Sequence, residues 1–174
     1  MDKQKVHIRA VKPEDIPSIT QIYNEYILYS VASFEVEAVT EAEMLRRMQG
    51  IVPACPYFVA EVDGKVAGYC YAHSWKERPA YCHTLETTIY LAPAYTGKGI
   101  GRLLMERLMA ECRAMPGCHA LVACITAENE ASCALHRKLG FQQVSCFKAV
   151  GRKFGRWLDV VDYEFVYSET LPAE

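Results

Sequence analysis

The sequence predicts a mixed α/β domain built on a single, largely antiparallel twisted sheet flanked by helices. Three observations carry this expectation. Segments of strand and helix periodicity follow one another in the order β-α-α-β-β-β-α-β-α-β-β. An Asp63-Gly64 pair joins two strand-like stretches and favours a tight antiparallel hairpin. Past mid-chain, a glycine-rich turn sits between a strand and an amphipathic helix. The 174 residues are 51% apolar and 23% charged, which suits one domain over residues 1–174 with no linker, repeat or low-complexity run.

Val6 to Val11 alternates as a first strand. Pro13 fits the first turn of a helix, with Glu14 and Asp15 at its positive end. Ile16, Ile19, Ile22, Tyr23, Tyr26 and Ile27 recur at helical spacing as far as about Tyr29. Val31 to Val39 reads as irregular, and Thr40 with Glu43 reads as a capping box opening a helix through about Met48. The hairpin strands are Tyr57 to Val62 and Lys65 to Ser74. A polar and aromatic loop, Trp75 to His83, leads into a strand from Thr84 to Leu91. After the turn Pro93 to Gly101, the residues Ile100, Leu103, Leu104, Leu108 and Cys112 mark an amphipathic helix ended by Pro116-Gly117. Ala120 to Ile125 is a strand, and Asn129 to Leu139 a helix stopped by Gly140. Phe141 to Val150 and Leu158 to Tyr167 read as the last two strands.

A net charge of −2 argues against non-specific nucleic-acid binding, which needs a basic surface. The charged N-terminus (Met1 to Lys5) lacks a signal-peptide core, and the longest apolar runs are far short of a membrane span. Eight cysteines without a C-x-x-C pair read as reduced, mostly buried thiols of a cytoplasmic protein. Cys82-His83 and Cys118-His119 lack zinc spacing, so no metal is expected.

The turn Thr96-Gly97-Lys98-Gly99-Ile100-Gly101 lets backbone N–H groups face a ligand at a helix N-terminus, an arrangement suited to a pyrophosphate, with Lys98 and Arg102 able to add charge. A purely structural turn is the alternative. The P-loop pattern is absent, and the glycine spacing is wrong for a dinucleotide fingerprint.

Strand, turn and helix together resemble the acetyl-CoA loop of the GNAT superfamily of N-acetyltransferases, whose pattern is Gln/Arg-x-x-Gly-x-Gly/Ala. Gly99 and Gly101 match it, while Thr96 takes the Gln/Arg position. About 30 residues on, Asn129-x-x-Ser132 and His136-x-x-x-Gly140-Phe141 resemble the family segment that closes the cofactor site. Three further stretches narrow the resemblance to the phosphinothricin and methionine sulfoximine acetyltransferases: Trp75 to Tyr81, Thr84 to Leu91 and Gly151 to Val160. The resemblance runs from about Ile8 to Val166. It implies a GNAT fold, acetyl-CoA as co-substrate, a small amine acceptor and a homodimer.

Acyl transfer to an α-amine needs a base for the ammonium proton and donors for developing negative charge. Strand alternation puts Thr84, Glu86, Thr88 and Tyr90 on one face, and the resemblance makes Glu86 the base; a salt-bridged strand glutamate is the alternative. His136 takes the position of the family's general-acid tyrosine, and an ordinary helix histidine is its alternative reading. Asn129 and Ser132 share its helix face, and Asn129 also reads as a helix cap. The resemblance has the backbone of Ile89, Tyr90 and Leu91 pair with pantetheine. Arg78 and Lys76 are candidates for the acidic group of the acceptor, because a guanidinium can hold a carboxylate or phosphinate bidentately, with plain surface charge as the alternative. Tyr81, Phe34 and Trp75 are candidate pocket walls, with core or interface packing as the alternative. Lys153 and Arg156 are weaker substrate candidates, and Trp157 is as readily packing. A protein N-terminal acetyltransferase and a non-catalytic acetyl-CoA sensor are the competing functions.

Overall fold

The computed structural model describes residues 5–167. Its elements are β1 (Val6–Ala10), α1 (Ile16–Tyr29), α2 (Glu41–Ile51), β2 (Tyr57–Val62), β3 (Lys65–Ser74), β4 (Thr84–Leu91), α3 (Ile100–Ala114), β5 (Ala120–Thr126), α4 (Glu130–Lys138), β6 (Gln142–Gln143), β7 (Phe147–Lys153) and β8 (Arg156–Val166). One open sheet runs β1-β2-β3-β4-β5-β8-β6, with β7 also paired to β8. Among the described residues, only the β4–β5 pairing is parallel.

Helices cover both faces. On one, Leu104, Met105, Leu108 and Cys112 of α3 pack on Ala60, Cys70, Leu121 and Tyr163. On the other, Ile16, Ile19 and Ile22 of α1 and Met44 and Met48 of α2 pack on Tyr57, Val59 and Tyr69. Each fully buried aliphatic side chain of these stripes contributes about 2 kcal/mol. Leu103, read from the sequence as part of the apolar stripe, points to solvent, and Met105 takes its place beside Leu104 and Leu108.

Local chemistry set most boundaries. Asp63 and Gly64 both have positive φ, the geometry of a type I′ turn. The Thr40 hydroxyl accepts from the Glu43 N–H, but the Glu43 carboxylate pairs with Arg46 and Arg47 instead of closing a capping box. The helix it opens extends to Ile51. Asn129 caps α4 by accepting from the Ser132 N–H. Gly140 ends that helix at φ +92°, where the Phe141 N–H donates back to the His136 carbonyl.

The expected strand Phe141–Val150 is two strands. The Ser145 hydroxyl accepts the Asp162 N–H that a continuous ladder would have used, and pairing with β8 resumes at Phe147 with a further register shift between Phe147 and Gly151. Phe141 belongs to the core rather than to a strand. The last strand starts at Arg156, because Phe154 and Gly155, both at positive φ, close a second tight hairpin. Of the eight free cysteines, Cys70, Cys112 and Cys133 are buried, whereas Cys82, Cys124 and Cys146 are exposed, so burial describes fewer of them than expected.

At the entry to α1 the Arg9 guanidinium grips both Asp15 carboxylate oxygens, at 2.7 and 2.8 Å, and donates from Nε to Glu61. Burial pushes the Asp15 carboxyl up, but Arg9 and the Lys12 N–H outweigh it and leave the group below the usual carboxylate range. This stability is present above the unfolded-state pKa and is lost as pH falls through the lowered folded value. Asp15→Asn is expected to cost about 3 kcal/mol at neutral pH. Urea unfolding at pH 7 and pH 3.5 should show a smaller loss on acidification in the variant than in the wild type.

Candidate active site

The parallel ladder between β4 and β5 holds for three residue pairs, Thr84 with Ala120, Leu85 with Leu121 and Glu86 with Val122. Beyond them the strands part. At the fork the Thr87 hydroxyl donates to the Val122 carbonyl at 3.3 Å, satisfying the acceptor where the ladder stops. β4 stays paired with β3 as far as Leu91, so its other edge opens into a cleft. The cleft encloses ≈ 680 Å³ and is lined by Glu86 to Leu91, the glycine turn, Ala123 to Thr126 and the inner face of α4.

The turn closes one end. Gly97 and Gly99 have φ of +71° and +82°, and a Cβ added at either would meet nothing within 4 Å. The glycines are therefore required by backbone conformation, not by space. Gly99 caps α3 without a side-chain hydrogen bond, which leaves the helix's first N–H groups to the cleft, a favourable end for an anion. Gly101 and Arg102 line the cleft, and Arg102 also donates to Glu106 at 2.6 Å. The Ile100 side chain is in the core, and Lys98 Nζ lies 5.4 Å from the Tyr95 ring centroid; neither lines the cleft. Lys138 does line it, on the last turn of α4. The sequence reading missed this residue, whose only signal was its place on the His136 helix.

Glu86 lies at the fork. The β3–β4 register sets it directly opposite His73. Cys124, paired with Asp162 across β5 and β8, faces the same side of the sheet and lines the cleft. Burial pushes the Glu86 carboxyl up, the nearby His73 pulls it down, and the Asp162 charge raises it further; the net shift is upward. Desolvation of the sulfur in the cleft likewise pushes the Cys124 thiol up, to about 12, reinforced by the charges of Asp162 and Glu86. Hairpin register made His73 readable in principle; Asp162 and Cys124 meet Glu86 only through the parallel pairing.

His136 is 2% exposed and sits edge-on to Phe141, with centroids 5.0 Å apart. Its Nδ1 is 2.8 Å from the Ser132 carbonyl oxygen. A carbonyl can only accept, so Nδ1 carries the ring proton and Nε2 is left as an acceptor. That Nε2 is buried without a partner among the described residues. Burial pushes the imidazole down despite the Ser132 bond, which keeps the ring neutral.

The predicted acceptor residues lie apart from this lining. Lys76 stacks its ammonium 3.9 Å from the Trp75 ring centroid and 4.9 Å from that of Tyr81, and Arg78 is exposed on the same loop. That loop precedes β4 at its Glu86 end. Phe34 packs on Gly151, where any Cβ would collide with the ring. Lys153 is buried, and Arg156 pairs with Glu128. Trp157 is 65% exposed, so it is not core packing.

An open strand edge, an anion-binding helix end and an orphaned buried acceptor fit a long ligand with a polar arm and a pyrophosphate, as acetyl-CoA is. The chain belongs to the acetyltransferase (GNAT) family, which it matches over residues 19–141. That membership makes it an acetyltransferase. It is 41% identical over 155 residues to a phosphinothricin N-acetyltransferase of Alcaligenes faecalis, an alignment covering 88% of this chain and 79% of the relative. It is 37% identical over 158 residues to the L-methionine sulfoximine/L-methionine sulfone acetyltransferase of Salmonella typhimurium, covering 88% and 90%. The solved structure of a GNAT superfamily phosphinothricin acetyltransferase from Sinorhizobium meliloti in complex with acetyl-CoA superposes with a TM-score of 0.92 at 39% identity, covering 97% of this chain and 94% of that one.

Two outcomes follow from this geometry. Gly99→Ala forces a side chain into left-handed backbone at a cost of roughly 1–2 kcal/mol, and should raise the KM for acetyl-CoA about tenfold with the acceptor KM little changed. The acid limb of kcat/KM should lie above the ordinary glutamate range; Asp162→Asn should move it down and His73→Gln up, as pH-rate profiles would read.

Proposed function

We propose that the protein transfers the acetyl group of acetyl-CoA to the α-amine of a small amino-acid analogue of the phosphinothricin, methionine sulfoximine or sulfone type. The observation that carries this reading is Glu86 at the fork, a carboxylate with a raised proton affinity at the inner end of the cleft. The names of the relatives support the acceptor class.

Acetyl-CoA supplies the acetyl group as an activated thioester. The chain's own residues do the rest. The open edge of Ile89, Tyr90 and Leu91 offers backbone groups to the pantetheine arm as an added strand would. Gly97, Gly99 and Gly101 shape the anion cradle, and Arg102 and Lys138 add positive charge at its mouth. Asn129 and Ser132 fix the start of α4, and Ser132 also holds His136.

Glu86 accepts the acceptor's ammonium proton, directly or through a water, and so frees the amine lone pair. His136, neutral with Nε2 unprotonated, is a hydrogen-bond acceptor in this state. It can give a proton to a departing sulfur only after taking one up. Arg78 and Lys76, on the loop at the Glu86 end of β4, receive the acceptor's acidic group, with Tyr81 beside them. Phe34 walls the pocket from the α1 side.

Eight free thiols suit the reducing cytoplasm. The exposed apolar side chains Phe147, Val150, Phe154 and Trp157 along the β7–β8 hairpin support a homodimer.

The test is thiol release from acetyl-CoA with L-phosphinothricin, L-methionine sulfoximine, L-methionine sulfone, common amino acids and an N-terminal peptide. Turnover confined to the first three is expected, and Glu86→Gln should lower kcat/KM by about a hundredfold or more. Turnover with the peptide alone would reassign the acceptor class, and CoA binding without any thiol release would make the protein a sensor.

A further inference from the structure

Three side chains from three strands hold one short stretch of loop by its backbone. The Thr126 hydroxyl of β5 donates to the Val31 carbonyl at 2.6 Å. The Tyr90 hydroxyl of β4 donates to the Ala32 carbonyl at 3.4 Å. Lys153 Nζ of β7 donates to the Ser33 carbonyl at 2.6 Å. The next residue, Phe34, lies on Gly151, also of β7. The loop so held follows α1 and spans the gap where β4 and β5 have separated. Ala32 lines the cleft from the side opposite α3 and α4.

Lys153 is the unusual member. It is 3% exposed and makes no carboxylate ion pair among the described residues. Burying an ammonium is costly unless its donors are satisfied. Here they meet carbonyl oxygens, including that of Tyr26 at 3.4 Å in the last turn of α1. That turn has no basic residue of its own. Lys153 thus supplies the cation that the negative end of the α1 dipole lacks.

We propose that Lys153 is a positioning residue for acceptor binding: through the Ser33 and Tyr26 carbonyls it fixes the 31–34 loop as the acceptor-side wall of the cleft. This rests on the proposed N-acetyltransferase function. It differs from the substrate contact suggested by the sequence, because the ammonium is buried, aims donors at two backbone carbonyls and does not line the cleft.

The test compares the wild type with Lys153→Met, which keeps the stem and removes the donors, and with Thr126→Val, which removes the neighbouring donor at constant shape. Kinetics with varied acceptor and varied acetyl-CoA are run beside amide hydrogen exchange over residues 30–36. Lys153→Met should raise the acceptor KM about tenfold, leave the acetyl-CoA KM within about twofold and speed exchange in the loop; Thr126→Val should do the same to a smaller degree. Unchanged exchange in both variants would overturn the clamp. A parallel rise in both KM values, or lower thermal stability with unchanged KM values, would reduce Lys153 to a structural residue and overturn its positioning role. If the wild type turned over no acceptor, the proposed function would fall together with the acceptor-wall role, while exchange would still show whether Lys153 holds the loop.

Discussion

The end of hydrogen bonding between β4 and β5 after Glu86 and Val122 is the constraint on which the rest of the structure depends. A sheet that stops pairing in its middle exposes backbone donors and acceptors, each costing about 1–3 kcal/mol if buried unsatisfied. The fold meets that cost with side chains. Thr87 takes the Val122 carbonyl at the fork, and the Tyr26 hydroxyl takes the Leu91 carbonyl at the far end, at 2.7 Å. What remains unpaired along β4 is the edge that faces the cleft.

The α1 side of the sheet is a layer of tyrosines. Tyr90 meets Tyr23, Tyr26 and Tyr69 with centroids 4.9 to 5.8 Å apart, and Tyr57, Tyr69 and Tyr71 continue the layer toward β2. Rings of this size bury large apolar area while their hydroxyls reach out for partners. Tyr23 reaches Glu35, Tyr26 reaches Leu91, and Tyr90 reaches Ala32. The layer therefore packs α1 and at the same time positions the loop that walls the cleft. Glu86 stands at the edge of this aromatic surface, where desolvation rather than any single neighbour dominates its proton affinity.

Much of this was legible in the sequence because its causes are local. Asp63-Gly64 dictates a hairpin, Asn129 caps a helix, and Gly97 and Gly99 suit the positive φ that the turn before α3 requires. Strand alternation alone put Glu86 and Tyr90 on one face of β4, and the structure keeps them there. The reading failed where a residue's role depends on a distant partner. The strand from Phe141 broke because Ser145 meets the Asp162 backbone, and Lys153 turned inward because α1 ends above it.

The sequence by itself determined the family, the order of elements as far as Phe141 and the glycine turn before α3, since each is written in short-range spacing and backbone preference. The tertiary structure alone decided that β4 and β5 separate at Glu86, that His73, Cys124 and Asp162 gather around that carboxylate, and that the Lys153 ammonium is spent on the loop after α1. These depend on the register of strands distant in the chain, and periodicity fixes a residue's face without fixing its neighbour.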